Sequence, residues 1–144
     1  MAEGLLNLFL SKKQIDSTEW KIASAGCWAI PDIPATTHAI ATMEALGWDI
    51  SNHRSQPLSE SLLAHHSLVL CMELAHILFI QRHFSLFANR AFLLYSMIEK
   101  EDELVDPIGG SRTKYEKTAR EIISITAKGF SKIQQLSESA VLQI

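Results

Sequence analysis

Asp106 and Pro107, followed by Ile108, Gly109 and Gly110, form the stretch of this sequence best suited to proton chemistry. In a loop at the C-terminal edge of a parallel sheet, the Asp106 carboxyl can serve as general acid or base. Taken alone, an Asp-Pro pair is equally the chemistry of a turn. His53, inside the polar stretch 49–55, can orient a neighbouring loop by hydrogen bonding or simply be solvated. Ser24 ends a short apolar segment, where its hydroxyl can support an adjacent loop or merely make a turn. Cys27 and Cys71 are the two thiols, and neither has an arginine six residues on or a glycine-rich loop around it. Both read as small buried thiols rather than nucleophiles. His65, His66, His76 and His83 raise the question of a metal, and His76 and His83 share a helix face. No HExxH or CxxC spacing accompanies them, so no metal ligand set is expected. No P-loop or GxGxxG is present, and no cofactor is expected.

These residues need elements to hold them. Leu5 and Phe9, and Leu6 and Leu10, recur at i,i+4 and predict a helix over 3–13, with Lys12 and Lys13 suited to its C-terminal dipole. Residues 20–23 read as a short strand leading to Ser24. Residues 34–46 read as a helix with Pro34 in its first turn and Gly47 as its stop. A short helix follows over 59–65, with Ser59 as N-cap. The wholly apolar run 67–72 fits a strand covered on both faces. Residues 73–83 read as helix, 89–95 as strand, 96–112 as charged loop, and 113–135 as a long helix. The last carries the stripe Tyr115, Ala119, Ile122, Thr126, Phe130 and Ile133. Strands alternating with helices predict an α/β three-layer sandwich, a short parallel sheet flanked by helices.

The chain has 144 residues, 47% of them hydrophobic, which suits a single domain spanning 1–144. Its net charge of −3 gives no reason to expect a nucleic acid or an anionic membrane as partner. Two cysteines are too few for a disulfide framework, so a cytoplasmic setting is the default. The run 67–72 is far too short to span a bilayer. The oligomeric state is left open.

Met1-Ala2-Glu3-Gly4, Ser24-Ala25-Gly26, Pro34-Ala35, Asp49-Ile50-Ser51-Asn52-His53-Arg54, Leu68-Val69-Leu70-Cys71-Met72 and Asp106-Pro107-Ile108-Gly109-Gly110 follow one another in this order. As an ordered set, covering essentially the whole chain, they resemble the low-molecular-weight protein tyrosine phosphatase family of bacterial type. In that family a strand and a Cys-x5-Arg-Ser-Pro loop come just before the segment that Met1-Ala2-Glu3 matches. The resemblance therefore implies that these residues are N-terminally truncated. The first strand, interior to the sheet, and the nucleophile would be missing, and the chain as it stands would be inactive. It further implies a protein phosphatase working through a phosphocysteine intermediate on phosphotyrosine or phosphoarginine, with a phosphorylated protein as partner. Asp106 would be the general acid and base, and Ser24 and His53 would buttress the phosphate loop by hydrogen bonds. Ile108 would be the substrate wall, where tyrosine-directed members often carry aromatic residues. Asp32 departs from the pattern, standing where glycine is common. Related arsenate reductases need further cysteines near Cys71, and none is present. A non-catalytic pseudophosphatase or binding module is the alternative reading.

Overall fold

Residues 1–16 and 18–141 are described by a computed structural model. Helix α1 (Ala2–Lys12) forms where the apolar i,i+4 spacing predicts it and buries Leu5, Leu8 and Leu10. It ends without glycine: Gln14 takes a left-handed φ of 55°. The Gln14 and Ile15 amides then donate to the carbonyls of Ser11 and Leu10, satisfying groups the helix end leaves free. Helix α2 (Thr37–Ala45) starts three residues later than the expected 34–46, because the Thr36 side chain accepts from the Ala39 amide and caps it. Pro34 lies outside the helix and forms an antiparallel bridge with Arg54. Gly47 does end α2, at φ 84°, with its own amide and that of Trp48 donating to Glu44 and Met43. Helix α3 (Glu60–Ala64) is capped by Ser59, as its sequence predicts.

Two strands make the sheet. β1 (Val69–Cys71) and β2 (Ala91–Leu93) pair in parallel, Val69 opposite Ala91 and Cys71 opposite Leu93. Helix α4 (Leu74–His83) makes the crossover that parallel pairing requires. The expected strand 89–95 is shorter than its apolar run, because 3₁₀ turns Ser85–Arg90 and Leu94–Ile98 consume both ends. β1 runs from half-buried Val69 to buried Cys71, and all three residues of β2 are half-buried, so the run is not covered throughout.

The segment 20–23 is not a strand, which corrects the expectation. Its exposure does alternate residue by residue, as in extended chain. A strand also needs a neighbouring backbone, and among the described residues none lies alongside it. The Trp20 ring is held instead against Phe130, centroids 5.5 Å apart, and Phe130 also meets Phe9 at 5.0 Å. The first ladder contact comes only at Gly26, a single parallel bridge to Pro57.

Helix α5 (Arg112–Val141) is the longest element. Tyr115, Ala119, Ile122, Thr126 and Ile133 of the predicted stripe are buried, with Phe130 half-buried. Helices α1 and α2 and the turn Leu94–Ile98 all pack on α5, while α4 packs on the strands. Leu5, Met43, Ile50, Met97, Leu104 and Ile125 join the stripe in one core. Each such side chain contributes about 1.5–3 kcal/mol by leaving water. Among the described residues, no helix is long and apolar enough to cross a membrane.

Candidate functional site

The first turn of α1 carries Glu3, and two residues distant in sequence converge on it. The Ser24 hydroxyl donates to Glu3 Oε2 at 2.6 Å, and His53 Nδ1 lies 3.8 Å from the same oxygen. The pairing of the 24–34 loop with 53–58 brings them together. Gly26 donates to Gln56, Leu58 to Gly26, Asp32 to Ser55, and Ser55 back to Ile33, while the Gln56 side chain donates to the Ser24 carbonyl. The Arg54 guanidinium donates to the carbonyls of Ser51 and His53, which fixes the turn that presents His53. Asp32 has φ 63°, the left-handed backbone where glycine costs nothing and aspartate is among the better-tolerated side chains. That accounts for aspartate at a position where glycine is common.

A cavity of about 210 Å³ opens beside these groups, lined by Met1, Glu3, Asn7, Asp49, Asn52 and His53 among others. Gly4 belongs to the same wall, and a methyl group there would come within 2.9 Å of Ile50 and 3.0 Å of Met43. Burial pushes the Met1 amine below its ordinary pKa, while Glu3 and Asp106 both lie near enough to favour its charge. Asp106 is exposed, and its Oδ1 accepts the Ile108 amide at 2.9 Å. That leaves Oδ2 as the oxygen free to carry and deliver a proton. Ile108 projects into solvent, 69% exposed. The turn is closed by the Gly110 amide donating to Pro107, with Gly109 at φ 73°.

Ser24 and His53 are thus brought together on Glu3, while Asp106 lies on the exposed turn that Pro107 and Gly110 close. Glu3 was not singled out from sequence, although it is the carboxylate on which Ser24 and His53 meet. Its signal was present: an acidic residue in the first turn of a helix, inside a segment already notable for its order.

The thiols and histidines fall elsewhere. Burial raises the pKa of Cys27, and it raises that of Cys71 to about 12, with Cys27 adding to the effect. Both are free cysteines held in the thiol form, opposite to what a nucleophile or a thiol relay needs. His65 and His66 bond through Nδ1 to the carbonyls of Ser61 and Leu62. His76 and His83 pack on rings, against Trp28 at 6.0 Å and Phe79 at 4.5 Å. Among the described residues, no group of three or more His, Cys, Asp or Glu is arranged to hold a metal ion.

Comparison with known proteins gives consistent findings. A family model described as low molecular weight phosphotyrosine protein phosphatase matches residues 1–140. A protein-arginine-phosphatase of Bacillus subtilis is 32% identical over 123 residues, covering 85% of this chain and 79% of the relative. A solved structure of the YwlE arginine phosphatase superposes with a TM-score of 0.85 at 26% identity, covering 92% of this chain and 86% of that one. The low molecular weight protein tyrosine phosphatase of T. tengcongensis superposes with a TM-score of 0.83 at 30% identity, covering 91% and 88%.

Proposed function

The chain belongs to the low molecular weight phosphotyrosine protein phosphatase family, and from that membership we propose that it serves protein dephosphorylation with Asp106 as its proton donor. The chemistry is phosphomonoester or phosphoramidate hydrolysis through a phosphocysteine. A thiolate attacks phosphorus while Asp106 delivers the Oδ2 proton to the leaving oxygen or nitrogen. Asp106 then removes a proton from the water that frees the phosphate. Ser24 and His53, gathered by Glu3, support the phosphate loop that the family places at the start of α1. Ile108 forms one wall for the substrate, a phosphotyrosine or phosphoarginine side chain of a protein. Two free cysteines and the family's substrates fit a cytoplasmic setting.

The observation that carries this reading is the convergence of Ser24 and His53 on the Glu3 carboxylate, beside the cavity that His53 lines. The nucleophile is another matter. No Cys-x5-Arg occurs in the 144 residues, and the cavity wall offers Glu3 and Asp49 but no lysine or arginine to receive a phosphate. We therefore infer that these residues alone do not hydrolyse phosphate esters.

The same cavity wall favours a second reading, a non-catalytic binding module on the phosphatase fold. Joining a family strand and Cys-x5-Arg-Ser-Pro loop ahead of Met1 separates the two. Under the enzyme reading, turnover of phosphotyrosine or phosphoarginine peptides appears, and Asp106→Asn lowers kcat by roughly 10²–10⁴. Under the module reading, these peptides are not turned over.

A further inference from the structure

The loop that carries Asp106 is fastened at a place that its own turn does not explain. Two residues before Asp106, the buried Leu104 donates its amide to the Met72 carbonyl at 2.8 Å, just past the end of β1. One residue earlier, Glu103 Oε1 accepts the Leu74 amide at 2.6 Å, the first amide of α4. The first amides of a helix have no partner within it, and a carboxylate there gains from both the hydrogen bond and the helix dipole. The Glu73 amide next to it is taken by His76 Nδ1, so Glu103 fills a separate place in the cap. Only Val105, 77% exposed, stands between this fastening and Asp106.

We propose that Glu103 is a positioning residue for Asp106: its carboxylate, capping α4 across the β1–α4 junction, holds the acid-bearing loop against that junction. The Glu103–Leu104 pair grips both sides of that junction, one through the α4 amide and the other through the Met72 carbonyl. Downstream, the Asp106 to Ile108 bond and the Pro107 to Gly110 bond complete the grip. With both flanks tied, the backbone that carries Asp106 is held on two sides. Without Glu103, the upstream flank depends on one backbone bond beside a solvent-exposed residue.

The proposal rests on the reading of Asp106 as proton donor, but its test does not need turnover. Backbone amide signals of the whole chain at neutral pH report the loop directly. Glu103→Ala is expected to speed hydrogen exchange at Leu74 about fivefold, the factor that loss of one helix cap corresponds to. It is also expected to move the Ile108 amide proton upfield as its bond to Asp106 becomes less populated. Glu103→Gln keeps an acceptor oxygen at the same reach and restores both signals. If Leu74 exchange rises while Ile108 stays unmoved, Glu103 merely caps α4 and the proposal is overturned. The same holds if Leu74 is unaffected, or if glutamine restores neither signal. A failure of the phosphatase reading would show separately, as absence of turnover in the loop-bearing chain, with these amide signals unchanged.

Discussion

Glu3 is the most informative single position to perturb, because three separate interactions end on its carboxylate. The Ser24 hydroxyl donates to it at 2.6 Å, and a hydrogen bond to a charged acceptor is worth about 1.5–3 kcal/mol. His53 approaches to 3.8 Å with both side chains more than a quarter exposed, which limits that pair to about 0.2–1 kcal/mol. An acidic residue in the first helical turn adds about 0.3–1 kcal/mol. Partial exposure favours the lower half of each range, so Glu3→Ala is expected to lose about 2–3 kcal/mol. Glu3→Gln retains an oxygen for Ser24 and is expected to lose about 1 kcal/mol. Urea unfolding of Glu3→Ala, Ser24→Ala and the double variant closes a cycle with an expected coupling of about 1–2 kcal/mol. A coupling below about 0.3 kcal/mol, the ordinary noise of additivity, would refute the placement of Glu3 as the centre of the site.

Three further outcomes follow from the packing and the pKa directions. With its thiol pushed to about 12, Cys71 is expected to be only about one part in 10⁴ thiolate at pH 8, so Ellman's reagent should label the native chain far more slowly than the urea-unfolded one. Fast labelling of Cys71 in the native chain would contradict the burial described. Tyr95 donates to Glu121, which together with burial raises its pKa to about 12 from an ordinary 10. That stabilisation is complete below pH 10 and declines as pH rises towards 12; melts across this window should show a loss that Tyr95→Phe removes. Gly129→Ala in α5 would put a methyl 2.7 Å from the Met97 Cβ and 2.9 Å from its carbonyl oxygen. Overpacking of about 1–3 kcal/mol then outweighs the helix propensity gain of about 1 kcal/mol. The variant should melt below the parent, and a rise in Tm would show that the 3₁₀ turn Leu94–Ile98 and α5 part easily there.

The elements that could be read from the sequence were those whose cause is local. Ser59 caps α3 and Gly47 ends α2 because hydroxyl capping and left-handed glycine are properties of single residues. The long α5 stripe is visible because a 3.6-residue period persists from Tyr115 to Ile133, although the helix itself runs on to Val141. Residues 20–23 were misread because alternation reports an extended chain with one face inward, while a strand is decided by what lies beside it. The 3₁₀ turns around β2 leave no period to detect, so the apolar run looked like one longer strand. At the site, the roles proposed for Asp106, Ser24 and His53 come from an ordered resemblance. Glu3 and Glu103 were not, because each acts on residues more than twenty positions away, and only the folded chain brings those together.

The function proposed for these 144 residues gives them the proton donor and the scaffold of a phosphatase, with no thiol placed to attack phosphorus. Hydrolysis of para-nitrophenyl phosphate by the purified chain tests it most directly, with Cys27→Ser, Cys71→Ser and Asp106→Ala measured alongside. All four proteins are expected to show one common background rate. Turnover above that background, abolished by substituting Cys27 or Cys71, would contradict it.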